Sequence, residues 1–362
     1  MTALELVWFG ADLRTGAIAE ELPSLRPGQA LQRRLGASTS ASLELALAGA
    51  PREWEAATDP GRTMLVAVDS TTGLPVWSGL TLPRQGGSSE ILKLGCATAE
   101  AYLDRRYPGD YSVTATDQST VMAALATPVL TQGLPLDLDV TASGTAIDYT
   151  ALDADDKTCL SYLQEIAGMA GAPEWTIDTI WADAAQSRFR LVLRIRPTIG
   201  VQNTSPEAVF DMPGCVAEYE LSESYERGRG ATSVIARGDR ADGVRATSDV
   251  HTADTLLAAG WPLWEHRWTP AQGITDASLL ERHADEAIDL MGTGSRSWSL
   301  SAVASQAPRL GTAWGLGDSV RLAVAPSTSP RHPAGVDVVA RAYAWSLDPG
   351  ADRLSPILLE DA

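Results

Sequence analysis

Over most of the first 95 residues the apolar positions recur with a period of two, the signature of strands with one buried face. Leu4, Leu6 and Trp8 alternate with Glu5, Val7 and Phe9, and Thr15-Gly16 marks a turn. Residues 42–47 alternate again, and Pro23, Pro27 and Gly28 place a loop before them. The densest signal runs from Arg62 to Tyr107. It predicts a strand at 64–68, a turn at 69–73, a second strand through 76–80, a Gly86-Gly87 loop and a third strand at 91–94. A short helix at 98–106 closes the block. That order predicts a small β-barrel handing the chain to a helical subdomain, with no catalytic residue inside it.

Between 96 and 200 the period changes. Asp117 reads as the N-cap of a helix that Pro128 ends. Asp155 reads as the cap of another, with Leu160, Leu163, Ala167 and Ala170 on one face and Gly171 at its end. A strand at 188–196 follows, with Phe189, Leu191, Leu193 and Ile195 on one face and Arg188, Arg190, Arg194 and Arg196 on the other. Such a face protects a sheet edge, or it docks on an acidic strand of this chain or of a neighbouring subunit. Glu218, Glu220 and Glu226 share one parity and offer the complement.

From 201 the chain returns to strands. One helix interrupts them, with Asp276 as cap, Leu280, Ala284, Ala287, Ile288 and Met291 as apolar stripe and Gly292 as stop. Strands at 319–324 and 336–346 flank a Pro/Ser loop. The pattern therefore predicts a mainly β, α+β protein in three segments: 1–95, a first β-barrel-like domain; 96–200, an α+β subdomain; and 201–362, a domain of strands with a helical insertion around 276–292.

The 362 residues carry a net charge of −18. Nucleic-acid binders carry the opposite sign, because phosphate neutralisation supplies most of their affinity, so sequence-specific nucleic-acid binding is not expected. DNA passing an acidic surface is repelled and does not stick. Lys93 and Lys157 are the two lysines and Asn203 is the single asparagine, a composition typical of a GC-rich genome. Cys96, Cys159 and Cys215 are odd in number and far apart, so buried thiols are expected in place of disulfides or a zinc site. No run approaches the roughly 18 apolar residues of a membrane span, and the N-terminus lacks the pattern of a signal peptide.

Motifs for phosphate loops, nucleophile elbows and zinc proteases are absent. Gly292-Thr-Gly294 and Gly315-Leu-Gly317 read as turns. His251, His266, His283 and His332 show no metal-ligand spacing. The acidic groups Asp137/Asp139, Asp153/Asp155/Asp156 and Asp239/Asp242 lack a calcium loop's spacing and read as caps and turns. No catalytic, cofactor-binding or metal residue is nominated. Trp261, Trp264 and Trp268 are concentrated in one short segment. Core or subunit-interface packing and glycan stacking both use such rings.

Taken in order, several short motifs resemble the tail hub or minor tail proteins of long-tailed phages, specifically the Gp37-like minor tail family of actinobacterial phages. They are Asp12-Leu-Arg-Thr15-Gly16 with Leu22-Pro23, Trp77-Ser-Gly79, Tyr102-Leu103-x-x-Arg106, Asp156-Lys-Thr158 and Glu174-Trp175-Thr-Ile177. Arg196-Pro197-x-Ile-Gly200, Gly273-Ile-Thr275-Asp276 and Gly317-Asp318-x-Val320-Arg321-Leu322 complete the set. The resemblance implies a non-enzymatic hub related to baseplate proteins: a homotrimer with two barrel-like domains per chain in a pseudo-sixfold ring, 1–95 the first β-barrel-like hub domain and 201–362 the second. It implies a virion protein of the tail tip, made in the host cytoplasm. The implied partners are the distal tail protein, the tape-measure protein and tip or fibre proteins, and the implied role is passage of tape measure and DNA. The alternative, from a different class, is a carbohydrate-binding or glycan-cleaving tail component using the three tryptophans.

Overall fold

The computed structural model describes residues 4–241, 243–270, 274 and 276–360. Met1–Ala3, Asp242, Gly273 and Thr275, which figure in the expectations above, lie outside the described residues.

The apolar run at 64–68 becomes the strand Thr63–Asp69, in which every residue is buried. Both faces are covered because alternate side chains enter different cores. Met64, Val66 and Val68 join one, and Leu65 and Ala67 the other. Around this strand lies a seven-stranded sheet. Its spatial order is Ile18–Glu21, Leu6–Asp12, Thr63–Asp69, Pro75–Gln85, Ile91–Ala97, Ser40–Ala46 and Leu25–Pro27. Pro27, expected in a loop, instead ends the edge strand, where its missing N–H is tolerated.

The last third forms a second large sheet, ordered Val209–Met212, Ser319–Val324, Val336–Asp348, Arg353–Leu359, Ser295–Val303 and Val216–Ser224. With the outer strand Ile18–Glu21 set aside, the two sheets share one connectivity. In each, the first strand in chain order lies beside a three-strand meander, and the two strands preceding the meander follow it in space, later one first. Pairing is antiparallel throughout, except that Val209–Met212 runs parallel to Ser319–Val324. The strand Leu31–Arg34 leaves the first half of the chain and joins the second sheet, with Arg33 opposite Trp345.

Between them sits the α+β part. A three-stranded sheet, Leu136–Val140, Phe189–Arg196 and Glu174–Trp181, packs with the helices Gln118–Ala126 and Cys159–Ala167. Asp117 caps the first helix, accepting from the Ser119 amide at 2.9 Å, and Pro128 lies in the 3-10 turn that ends it. The second helix starts later than expected. Asp155 belongs to a 3-10 turn, Asp156 reverses the chain at φ +50°, and Thr158 is the cap, accepting from Ser161 N at 3.2 Å. That shift turns the buried face to Cys159, Tyr162, Leu163 and Ile166 and leaves Ala167 exposed. The segment expected as a short helix at 98–106 is the 3-10 helix Ala99–Arg105.

A small sheet of Ser233–Ala241 with Val244–Thr247, His251–Thr252 and Glu265–Trp268 is backed by the helix Ala277–Gly292. Asp276 caps it as expected, accepting from Ser278 N at 2.8 Å, and Leu280, Ala284, Ala287 and Ile288 are buried. The two cores do not follow the three sequence segments. One joins the first and second large sheets, and the other gathers residues from all three segments. The architecture is mainly β.

Candidate assembly and binding surfaces

The arginine strand Phe189–Arg196 buries Phe189, Leu191, Leu193 and Ile195 and turns its arginines outward, as its alternation predicts. Its start is held by Gly16, whose carbonyl accepts from Phe189 N at 2.8 Å. Gly16 adopts φ +68°, and a Cβ there would lie 1.8 Å from the Phe189 carbonyl oxygen, so the Thr15-Gly16 turn needs glycine to dock.

The acidic complement of the ladder is within the chain, but it is not the segment expected. Arg190 pairs with Asp137 at 2.8 Å, and both Arg194 and Arg196 reach Asp139, at 2.6 and 2.7 Å. These aspartates sit on Leu136–Val140, the parallel neighbour strand, where Asp139 stands opposite Arg194 and Asp137 opposite Val192. Asp137 and Asp139 are therefore strand residues in ion pairs and not caps. Arg194 also bonds Asp178 at 2.7 Å, and Arg188 lies 3.5 Å from Asp183. Glu218 and Glu220 stand exposed on Val216–Ser224, opposite serines of the neighbouring strand, and Glu226 is exposed beyond its end. Sequence parity identified a matching acidic row but had no means of choosing which strand would lie beside the ladder.

The pairs extend into a junction. Arg33, on the crossing strand, bonds Asp178 at 3.0 Å, Thr176 Oγ1 at 2.8 Å and the Ile177 carbonyl at 2.7 Å. Buried Glu100 accepts from the Ile177 amide at 3.0 Å. Glu174 binds Arg341 of the second sheet with both oxygens, at 2.8 and 2.7 Å, and accepts from Ile199 N. Burial acts to raise the Asp178 carboxyl, but Arg33 and Arg194 outweigh it and hold it below the ordinary value. For Asp139 the Arg196 hydrogen bond is the largest influence and lowers it. Gly200 and Gly317 cross beside this junction at φ +84° and +82°. A Cβ on either would fall within about 2.3 Å of the other's backbone or that of Ile199, so both must be glycine.

The tryptophan segment is divided. Trp268 is half-buried and lies edge-on to His283, ring centres 5.5 Å apart. Trp261 and Trp264 are 42% and 51% exposed, with Leu263 between them at 61%. Tyr225 touches both rings, at 5.3 and 6.1 Å.

Burial pushes the thiols up, to about 12 for Cys96 and about 11 for Cys159 and Cys215, so they stay protonated and inert at neutral pH. His283 is buried, and burial lowers it to about 4; its Nδ1 accepts from Ala170 N at 2.9 Å. His332 stacks on Tyr219 and bonds its hydroxyl at 2.6 Å. His251 differs, with Nε2 2.6 Å from Glu281 and Nδ1 2.7 Å from Asp285. Among the described residues no group of three or more His, Cys, Asp or Glu is placed to hold a metal, and no helix is long and apolar enough to cross a membrane.

No protein-family model and no curated protein matches the sequence. Solved structures do match over nearly the whole chain. A tail protein from Neisseria meningitidis MC58 aligns with TM-score 0.56 at 14% identity, covering 93% of this chain and 96% of its own. The 43 kDa tail protein of prophage MuSo2 from Shewanella oneidensis gives 0.58 at 12% identity, covering 99% and 96%. Prophage tail protein gp18 from Listeria monocytogenes EGD-e gives 0.55 at 10%, covering 99% and 94%. The chain has the fold of these phage tail proteins.

Proposed function

We propose that this chain is a structural protein of a phage tail tip, a hub of the Gp37-like minor tail kind. In this reading it assembles as a homotrimer, joins the tail tube to the tip and lets tape measure and DNA pass. The observation that carries the reading is the shared connectivity of the two large sheets. A chain holding the same arrangement twice presents six similar units from three copies, which matches a sixfold tube above to a threefold tip below. The fold shared with phage tail proteins supports the same assignment.

The net charge of −18 suits a ring that DNA traverses without sticking. Trp261, Leu263 and Trp264 form an exposed apolar run, which we assign to contacts with other tail components. Distal tail, tape-measure and tip or fibre proteins are the partners of this reading, and it assigns the chain no catalytic step. Native mass spectrometry of the purified protein, or of tail particles, tests it. A species of three times the chain mass is expected; a stable monomer that hydrolyses cell-wall glycan overturns it.

A further inference from the structure

We infer that the tail component covering Trp261, Leu263 and Trp264 is a second copy of this chain, which receives them in an apolar groove at the far end of its second large sheet. This rests on the homotrimer reading above and names the two surfaces through which the copies meet.

The projecting surface is ordered before it binds. The Trp264 amide donates to Thr232 Oγ1 at 2.8 Å, and its carbonyl accepts from Thr232 N at 3.0 Å. Thr232 Oγ1 also donates to the Pro262 carbonyl, and Trp261 N to the Leu256 carbonyl, both at 3.0 Å. Tyr225, which touches both indoles, is held by a 3.3 Å bond from its hydroxyl to the Gly292 carbonyl. A Cβ on Gly230 would lie 2.4 Å from that ring, so only bare backbone fits against it. Exposed rings that are already fixed lose little entropy when they are covered.

The groove holds about 550 Å³ and is lined by Met212, Pro213, Val324, Pro326 and Val336, together with Asp211. Met212 and Pro213 lie just before the strand Val216–Ser224, whereas Tyr225 follows its last residue. That strand holds the two surfaces roughly 30 Å apart, so a chain cannot fill its own groove. Contact between two different patches on successive copies is head-to-tail, and it closes into a ring when each copy turns by a third of a circle.

Charge agrees with the match. Arg227 and Arg229, on the loop that carries Tyr225, are exposed, and among the described residues neither pairs with a carboxylate, Glu226 included. Burial and then the Arg227 charge hold His266 below its ordinary value, which places Arg227 near the segment that bears Trp264. In the groove Asp211 is exposed. Its Oδ1 accepts from Cys215 N at 3.0 Å, and among the described residues no cation pairs with it. Unpaired arginines beside an apolar projection complement an apolar groove that bears an unpaired carboxylate.

Sedimentation velocity of the full chain tests the contact. Leu263→Asp spoils the projection and Ala334→Trp fills the groove, both at exposed positions. The wild type is expected at three chain masses, and each variant is expected to associate about tenfold more weakly or worse. Mixing the two variants leaves one intact contact, so a species of two chains and none larger is expected. Variants that both stay trimeric at wild-type strength overturn the inference and leave the homotrimer standing, whereas a monomeric wild type overturns both. A mixture without the two-chain species also overturns the inference. Should either variant misfold, a flexible bismaleimide decides, because the native thiols are buried. It is expected to join chains carrying Leu263→Cys together with Ala334→Cys, and chains left unjoined overturn the contact.

Discussion

Asp69 is fully buried at the end of the central strand and receives two bonds from Arg309, at 2.6 and 2.5 Å, across 240 residues of chain. Burial acts to raise its carboxyl, yet the Arg309 bond and the Thr71 amide outweigh burial and hold it below the ordinary value. Arg309→Ala leaves that carboxylate buried and unpaired, at an expected cost of about 3–5 kcal/mol in urea denaturation. Because the folded value is depressed, the contribution of Asp69 is full above its unfolded value and fades as pH falls through the folded one. His251 carries the opposite sign. Carboxylates on both ring nitrogens require both to donate, so the bridging ring is the imidazolium. Burial works against that charge, but Glu281 and Asp285 outweigh it and raise the ring above 6.5. Its contribution is complete below the unfolded value and is lost as pH rises through the folded one. Denaturation of wild type and His251→Gln should differ more at about pH 6 than at about pH 9. An equal difference at both would show a neutral ring.

Among the elements, the strand Leu31–Arg34 has the most consequence for its length. It ties the first half of the chain to the second sheet, and its Leu31 is wholly buried. Leu31→Ala is expected to cost about 2–5 kcal/mol, read from the denaturation midpoint at unchanged slope. A cost below about 1 kcal/mol would show that the strand is dispensable to the joint. The order of strands and turns in the meander from 63 to 97 was legible, because period-two alternation and glycine turns mark strands locally, although its second and third strands run on to Gln85 and Ala97, past the expected ends at 80 and 94. The start of the helix Cys159–Ala167 was not. Asp155 and Thr158 are both good caps, and the left-handed turn at Asp156 that decides between them has no strong side-chain signature. Nor did parity locate the partner of the arginine ladder, since strand order is settled by packing at long range.

For the molecule as a whole, the residues determined by themselves that the protein is mainly β with helical insertions, and which faces of the arginine strand and of the helix Ala277–Gly292 are apolar. They also determined its acidity and the burial of its cysteine side chains. These properties follow from nearest-neighbour periodicity and composition. Only the tertiary structure decided that the two large sheets repeat one connectivity, that their cores merge and that the early strand Leu31–Arg34 belongs to the late sheet. It alone placed Asp139 and Asp178 beside Arg194, and Trp261 and Trp264 at the surface. Contacts across many tens of residues are chosen by the shape and charge of whole packed faces. A strand's own pattern states what it must bury and leaves open which partner buries it.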